Sequence, residues 1–187
     1  GLGDVYKRQN PKTGEVLSYV GGSVFNNSQF DRVRQSYPQS GSVFKPFIYA
    51  SAFNGGYNPS SLINDAPIIF EDENLETFWR PENYSGKFYG LTTLREALVQ
   101  SINIVSIKLL REIGIKKSSE TVDNFGFGLD RLPQDLSLAL GSGNFSPAEV
   151  ARGFSVFAND GMISDIHYVS QIKDKNGDII FDHSEID

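Results

Sequence analysis

Ser42-Val43-Phe44-Lys45 sets a hydroxyl and an amine three residues apart, directly before Pro46-Phe47 and an apolar run that reaches Phe53. A serine hydroxyl is a poor nucleophile at neutral pH and needs a neighbouring base to take its proton. Residues i and i+3 of a helix share one face, so Lys45 is the base in reach. At a helix N-terminus the unpaired N–H groups disfavour a cation and favour an anion. That placement would lower the lysine's pKa and steady a developing oxyanion together.

Spacing alone is weak support, because a Ser-x-x-Lys string arises by chance roughly once in a couple of hundred residues. Ser170-Gln171-Ile172-Lys173 is a second copy, but it lies in an alternating stretch that reads as a strand, where i and i+3 point to opposite faces. Context separates the two. Gly41 permits a tight entry before Ser42, Pro46 is tolerable in a first helical turn, and Phe47 to Phe53 is apolar enough to be buried. The plainer alternative is a capping serine and a surface lysine on a core helix.

Ser101-Ile102-Asn103 offers the first pair what it lacks. Its hydroxyl can relay a proton between Lys45 and a leaving amine. Its amide can hold the lysine or a substrate carbonyl. Ser142-Gly143-Asn144 repeats the spacing inside a glycine-rich stretch and reads as a turn. Other chemistries have little material. The chain has no cysteine and two histidines, His167 and His183, both far in sequence from Ser42, so a Ser-His-Asp site is disfavoured and both read as half-exposed strand or tail residues. No cluster has metal-ligand spacing, and no metal or cofactor is expected.

These residues need a scaffold. A chain of 187 residues with 39% hydrophobic content is long enough for one domain with a real core. A net charge of −6, with no basic stripe, argues against nucleic acid as the main partner. No apolar segment approaches bilayer-spanning length, so any membrane anchor lies outside this sequence. The absence of cysteine suits a cytoplasmic or an extracytoplasmic location equally.

Asn10-Pro11-Lys12-Thr13-Gly14 reads as a turn, and Glu15 to Val20 as the strand that follows it in a hairpin; residues 1–9 are set aside as a candidate non-native leader. Thr93 and Glu96 predict a capping box, with helical periodicity continuing through Ile102 to Ile113 and ending at Gly114. Ser118 to Phe125 reads as a shorter helix, closed by Gly126-Phe127-Gly128. Ser146-Pro147-Ala148-Glu149 opens another that runs to Gly161. Tyr168–Lys173 and Ile179–Phe181 flank an Asn176-Gly177 turn. Tyr57 to Lys87 has no clean period and reads as a structured loop, as apt to line a site as to be a surface excursion. Strands at both ends with helices between predict an α+β fold, an antiparallel sheet packed with a helical region.

With these blocks in view, the chain from about Asn10 onward closely resembles the transpeptidase domain of class A penicillin-binding proteins, the 1A type of Gram-negative bacteria in particular. The resemblance rests on Pro11-Lys12-Thr13-Gly14 with Val20-Gly21-Gly22, Gly41 to Phe47, Ser61-Leu62-Ile63-Asn64-Asp65-Ala66-Pro67, Trp79-Arg80-Pro81-Glu82-Asn83, Ser101-Ile102-Asn103, Ala139 to Gly143, and Val150-Ala151-Arg152-Gly153-Phe154. Ser-x-x-Lys with a serine-asparagine motif and Lys-Thr-Gly is the signature of these enzymes and of the related serine β-lactamases.

The resemblance implies the penicillin-binding protein/serine β-lactamase-like transpeptidase fold and a peptidoglycan D,D-transpeptidase. Ser42 would attack the penultimate D-alanine carbonyl of a stem peptide ending in D-Ala-D-Ala, and β-lactams would acylate the same serine. Lys45 would activate Ser42, Ser101 would shuttle the proton, and Asn103 would orient substrate and lysine. The Ser42 N–H would supply half the oxyanion hole. A D,D-carboxypeptidase or another β-lactam-binding serine acyl-enzyme is the alternative within acyl transfer.

The family's third motif, a Lys-Thr-Gly on a cleft strand, would follow the matched region, and Lys12-Thr13-Gly14 reads instead as part of the N-terminal turn. On that reading residues 10–187 are a partial domain, with C-terminal sheet strands outside this sequence and an inert fragment as a further alternative. The resemblance also implies the periplasmic face of the bacterial inner membrane. A membrane anchor and a glycosyltransferase domain are expected only in the full-length protein. Pro38-Gln39-Ser40 departs from the arginine-glutamine-proline run more usual before the nucleophile.

Overall fold

In the computed structural model, which describes residues 5–22, 29–71 and 78–185, the chain divides into two compact units. One is made of both chain ends, Gly1–Pro38 with Phe145–Asp187, and the other of Gln39–Asn144. Residues 1–4 of the candidate leader and 72–77 of the Tyr57–Lys87 segment lie outside the described residues.

The Gln39–Asn144 unit carries every candidate catalytic residue. A 3-10 turn, Gly41–Phe44, leads into helix α1, Lys45–Asn54, with Pro46 in its first turn. Helix α1 is apolar around most of its circumference and is buried accordingly, through Phe47, Ile48, Tyr49 and Ala52. Beneath its start the rings of Phe44, Phe47, Phe125 and Phe127 form a cluster with centroids 4.8 to 5.2 Å apart. Full burial of each such ring contributes about 1.5–3 kcal/mol.

The strand Leu62–Asp65 pairs antiparallel with a partner strand at Gly90–Thr93, Ile63 opposite Thr92 and Asp65 opposite Gly90. The alternation puts Ile63 and Asp65 inward, and Ile63 joins a core with Tyr49, Leu94, Ala97, Val105 and Leu109. Thr93 ends that partner strand and opens helix α2, Leu94–Val99, by a complete capping box with Glu96. Helix α3, Asn103–Ile113, presents Ile104, Val105, Ile107, Leu109 and Leu110 to the core and stops at Gly114, whose φ is 93°. Helix α4, Ile115–Asp123, starts at once, because Gly114 ends one helix and admits the next.

Two sequence expectations are corrected here. The periodicity running from Leu94 to Ile113 belongs to two helices, interrupted at Gln100–Ile102, where Ser101 adopts φ 53°. Helix α4 begins at Ile115 rather than Ser118, since the break falls at Gly114 and leaves no gap to cross.

In the unit of the two chain ends, Tyr6–Gln9 pairs antiparallel with Val16–Val20 around the Asn10–Gly14 turn. Gln171–Lys173 pairs likewise with Ile179–Asp182 around Asn176-Gly177. Helix α5, Pro147–Phe157, opens with the expected capping box of Ser146 and Glu149. Its Arg152 bonds the Ser164 carbonyl and the Asp165 carboxylate, while Ser164 Oγ donates to the Lys12 carbonyl at 2.9 Å. Lys12-Thr13-Gly14 is thereby a structural turn, and a Cβ on Gly14 would stand 1.9 Å from the Asp165 carbonyl oxygen. The strand pairs among the described residues are all antiparallel and two-stranded, and an isolated bridge between Glu15 and His167 is parallel.

Candidate active site

Ser42 is exposed in the 3-10 turn, whereas Phe44 and Lys45 are buried. Side chains at i and i+3 of such a turn eclipse, so Ser42 and Lys45 share a face. The backbone before the turn is fixed from outside: Ser40 N–H donates to the Gly143 carbonyl at 3.0 Å and Gly41 N–H to the Gly141 carbonyl at 2.9 Å. The Ala139–Gly143 block thus backs the nucleophile turn, and Ser142-Gly143-Asn144 belongs to that support, with Ser142 Oγ 2.6 Å from Ser137 Oγ.

Lys45 is only 1% exposed, which removes the surface-lysine alternative. Its Nζ donates to the Ser101 carbonyl at 2.6 Å, to Ser101 Oγ at 3.0 Å and to Asn103 Oδ1 at 2.7 Å. These three acceptors match the three N–H groups of an ammonium. All are neutral, and among the described residues no carboxylate pairs with Lys45. Burial pushes its pKa down from 10.5 to about 8. The cause is therefore desolvation, where the sequence had suggested the helix N-terminus.

Ser101 and Asn103 reach Lys45 because the chain breaks between α2 and α3. Ser101, half-buried, lies in the left-handed region, and its N–H donates to the Leu98 carbonyl at 3.1 Å. That turn aims both its carbonyl and its hydroxyl at one amine. Asn103 is the first residue of α3, and its Nδ2 donates to the Glu82 carbonyl at 2.9 Å, which leaves Oδ1 toward Lys45.

The remaining support was not assigned from sequence. Asn83 Oδ1 accepts the N–H groups of Asn103 and Ile104 at 3.0 and 3.1 Å, and its Nδ2 faces both oxygens of Asp65 at 2.9 Å. Both residues fall in blocks that carry the family resemblance, and that membership was the available signal. Part of Tyr57–Lys87 therefore underlies the site.

The other singled-out residues lie elsewhere. Ser170 precedes a strand and donates to Glu15 Oε1 at 3.1 Å. His167 and His183 stack on one another, with ring centroids 3.6 Å apart, in the unit formed by the chain ends.

Comparison with known proteins decides the family. The description "Penicillin binding protein transpeptidase domain" matches residues 9–186. The chain belongs to the penicillin-binding protein transpeptidase family. It is 43% identical over 172 residues to penicillin-binding protein 1A of Pseudomonas aeruginosa, a match covering 92% of this chain and 21% of that protein. It is 44% identical to the Vibrio cholerae protein of that name, with the same coverage. The crystal structure of penicillin-binding protein 1A from Haemophilus influenzae superposes with a TM-score of 0.91 at 35% identity, over 95% of this chain and 26% of that one. PonA1 of Mycobacterium tuberculosis in complex with penicillin V shares the fold at a TM-score of 0.83 and 22% identity, over 96% of this chain and 50% of that one. The transpeptidase domain here thus spans about a fifth of the length of its curated relatives. No helix among the described residues is long and apolar enough to cross a membrane.

Proposed function

We propose that this transpeptidase domain cross-links peptidoglycan by serine acyl transfer, with Ser42 as nucleophile and Lys45 as the base that activates it. The observation that carries the reading is the Lys45 amine, buried with no counter-charge among the described residues and held by Ser101 and Asn103. A lysine near pKa 8 is partly neutral at physiological pH and has a lone pair to offer.

Ser42 Oγ forms a bond to the carbonyl carbon of the penultimate D-alanine, and its proton passes to Lys45 Nζ. The carbonyl becomes an oxyanion, toward which the Ser42 N–H donates. As the C–N bond breaks, Ser101 Oγ gives its proton to the departing amine and is reprotonated by Lys45. The terminal D-alanine leaves, and Ser42 carries an ester. An acceptor amine from a second stem then attacks the ester, losing its proton along the reverse relay and restoring Ser42. Asn103, fixed through Glu82, keeps Lys45 Nζ in place during both halves.

A β-lactam carbonyl would meet the same nucleophile, its ring nitrogen taking the place of the leaving amine. On the family resemblance, the full-length protein would work on stem peptides at the periplasmic face of the inner membrane. Incubating that full-length protein with a stem peptide ending in D-Ala-D-Ala and an acceptor amine tests the reading. Free D-alanine together with an acceptor-linked product is expected. Hydrolysed stem alone, at every acceptor concentration, would overturn cross-linking in favour of a carboxypeptidase.

A further inference from the structure

Helix α3 begins with an unusual arrangement. Its N-cap residue is Ile102, which has no side chain able to accept a hydrogen bond, so the first N–H groups need an acceptor from elsewhere. Asn83 supplies it, bonding the N–H groups of both Asn103 and Ile104.

An asparagine amide can be rotated end for end with little change in shape, so something must fix which end faces the helix. Here the Asn83 Nδ2 is surrounded by acceptors, the two oxygens of Asp65 at 2.9 Å and the Lys87 carbonyl at 2.8 Å. Rotation would turn the amide oxygen toward a carboxylate and the NH2 toward two helix N–H groups. Asp65 therefore sets the orientation of Asn83.

Asp65 is itself costly. It is 1% exposed, and among the described residues its carboxylate accepts, besides Asn83, only the Tyr89 N–H, at 2.9 Å. Among the described residues no lysine or arginine pairs with it, although Lys108 of α3 bonds the carbonyls on either side, those of Asn64 and Ala66. A buried carboxylate without a cation is a poor way to stabilise a core.

What the pair holds lies next to the reacting groups. Asn103 is capped through its backbone by Asn83 and through its side chain by the adjacent Glu82 carbonyl. Two residues earlier, Ser101 keeps a left-handed conformation that a non-glycine residue retains only where its surroundings over-determine it. We infer that Asp65 and Asn83 are a positioning pair for acyl transfer, holding the start of α3 so that Ser101 and Asn103 meet the Lys45 amine in register.

This inference rests on the acyl-transfer reading, and its test separates the two. In the full-length protein that carries this domain, acylation by a reporter penicillin is followed by stopped flow. It resolves the affinity of the initial complex, the rate constant of acylation and the fraction of molecules finally acylated. Asp65→Asn frees the Asn83 amide to rotate. It is expected to lower the acylation rate constant tenfold or more, up to about the hundredfold that a misplacement of about 1 Å costs. The initial affinity should stay within about twofold and the acylated fraction should be unchanged.

Asn83→Asp alone sets two carboxylates face to face and is expected to be at least as slow. The exchange Asp65→Asn with Asn83→Asp restores an acceptor for the helix and a donor between the two residues, and should recover most of the loss. A parental rate constant in Asp65→Asn would overturn the inference. So would a defect confined to the acylated fraction, or an exchange variant no faster than either single change. Failure of the unaltered protein to acylate at all would instead overturn the reading beneath it.

Discussion

Gly141 meets Gly41 backbone to backbone: a Cβ on Gly141 would stand 2.0 Å from the Gly41 carbonyl oxygen, and Gly141 itself has φ 73°. The residue before the nucleophile is thus pressed against a position that only glycine can occupy, with the Gly41 N–H bonded to the Gly141 carbonyl. Gly141→Ala must push the 3-10 turn of Ser42 away as well as strain its own backbone. The expected result is a loss of about 1–3 kcal/mol in stability, together with slowed acylation by a reporter penicillin. Gly56→Ala is the control: that glycine also has positive φ, but a Cβ there meets nothing within 4 Å, so it should lose stability without slowing acylation.

Acylation should follow the ionisation of Lys45. The base must be neutral, and burial holds its pKa near 8, so the acylation rate should rise with pH and level off above about 8. About a tenth of the lysine is neutral at pH 7, far more than an unperturbed amine would supply. A pH–rate profile of β-lactam acylation, flat from pH 6 to 10, would contradict this assignment.

The same burial has a thermodynamic signature. Lys45 binds its proton less tightly folded than unfolded, so the unfolded state holds more protons between about pH 8 and 10.5. Stability should therefore rise with pH across that window, by up to about 3 kcal/mol from this one group. The cost is fully present below pH 8. Urea titrations of the full-length protein at pH 8 and pH 10 should show that slope attenuated in Lys45→Met.

Ser101 separates conformation from chemistry. Ser101→Ala and Ser101→Gly both remove the hydroxyl and should slow acylation by about a hundredfold or more. They should differ in stability, because glycine accepts φ 53° freely and alanine does not. Thermal melts are expected to place Ser101→Gly about 1 kcal/mol above Ser101→Ala.

The short-range parts of this architecture were legible in the sequence. Ser42 and Lys45 are joined by a single turn, Thr93 and Glu96 by a capping box, and Asn176-Gly177 by a hairpin, so each left a signature within a few residues. The break at Ser101 left none. Apolar spacing runs through it from Leu98 to Val105, and a serine in a left-handed conformation has no propensity signal. Asp65 with Asn83, and Gly41 with Gly141, are contacts between segments distant in sequence. Each residue read alone is an ordinary turn or strand residue. The antiparallel pairing was correctly anticipated, but its division into separate two-stranded ladders depends on how the segments between strands pack.

The central claim is that Ser42 is the acylated residue and Lys45 the base that activates it. Intact-mass and peptide-level mass spectrometry of the full-length protein after incubation with a penicillin tests it most directly, beside Ser42→Ala and Lys45→Met. One penicillin per chain on the peptide containing Ser42, absent in Ser42→Ala and strongly slowed in Lys45→Met, is the predicted result. An adduct that survives in Ser42→Ala, or forms at the parental rate in Lys45→Met, would contradict it.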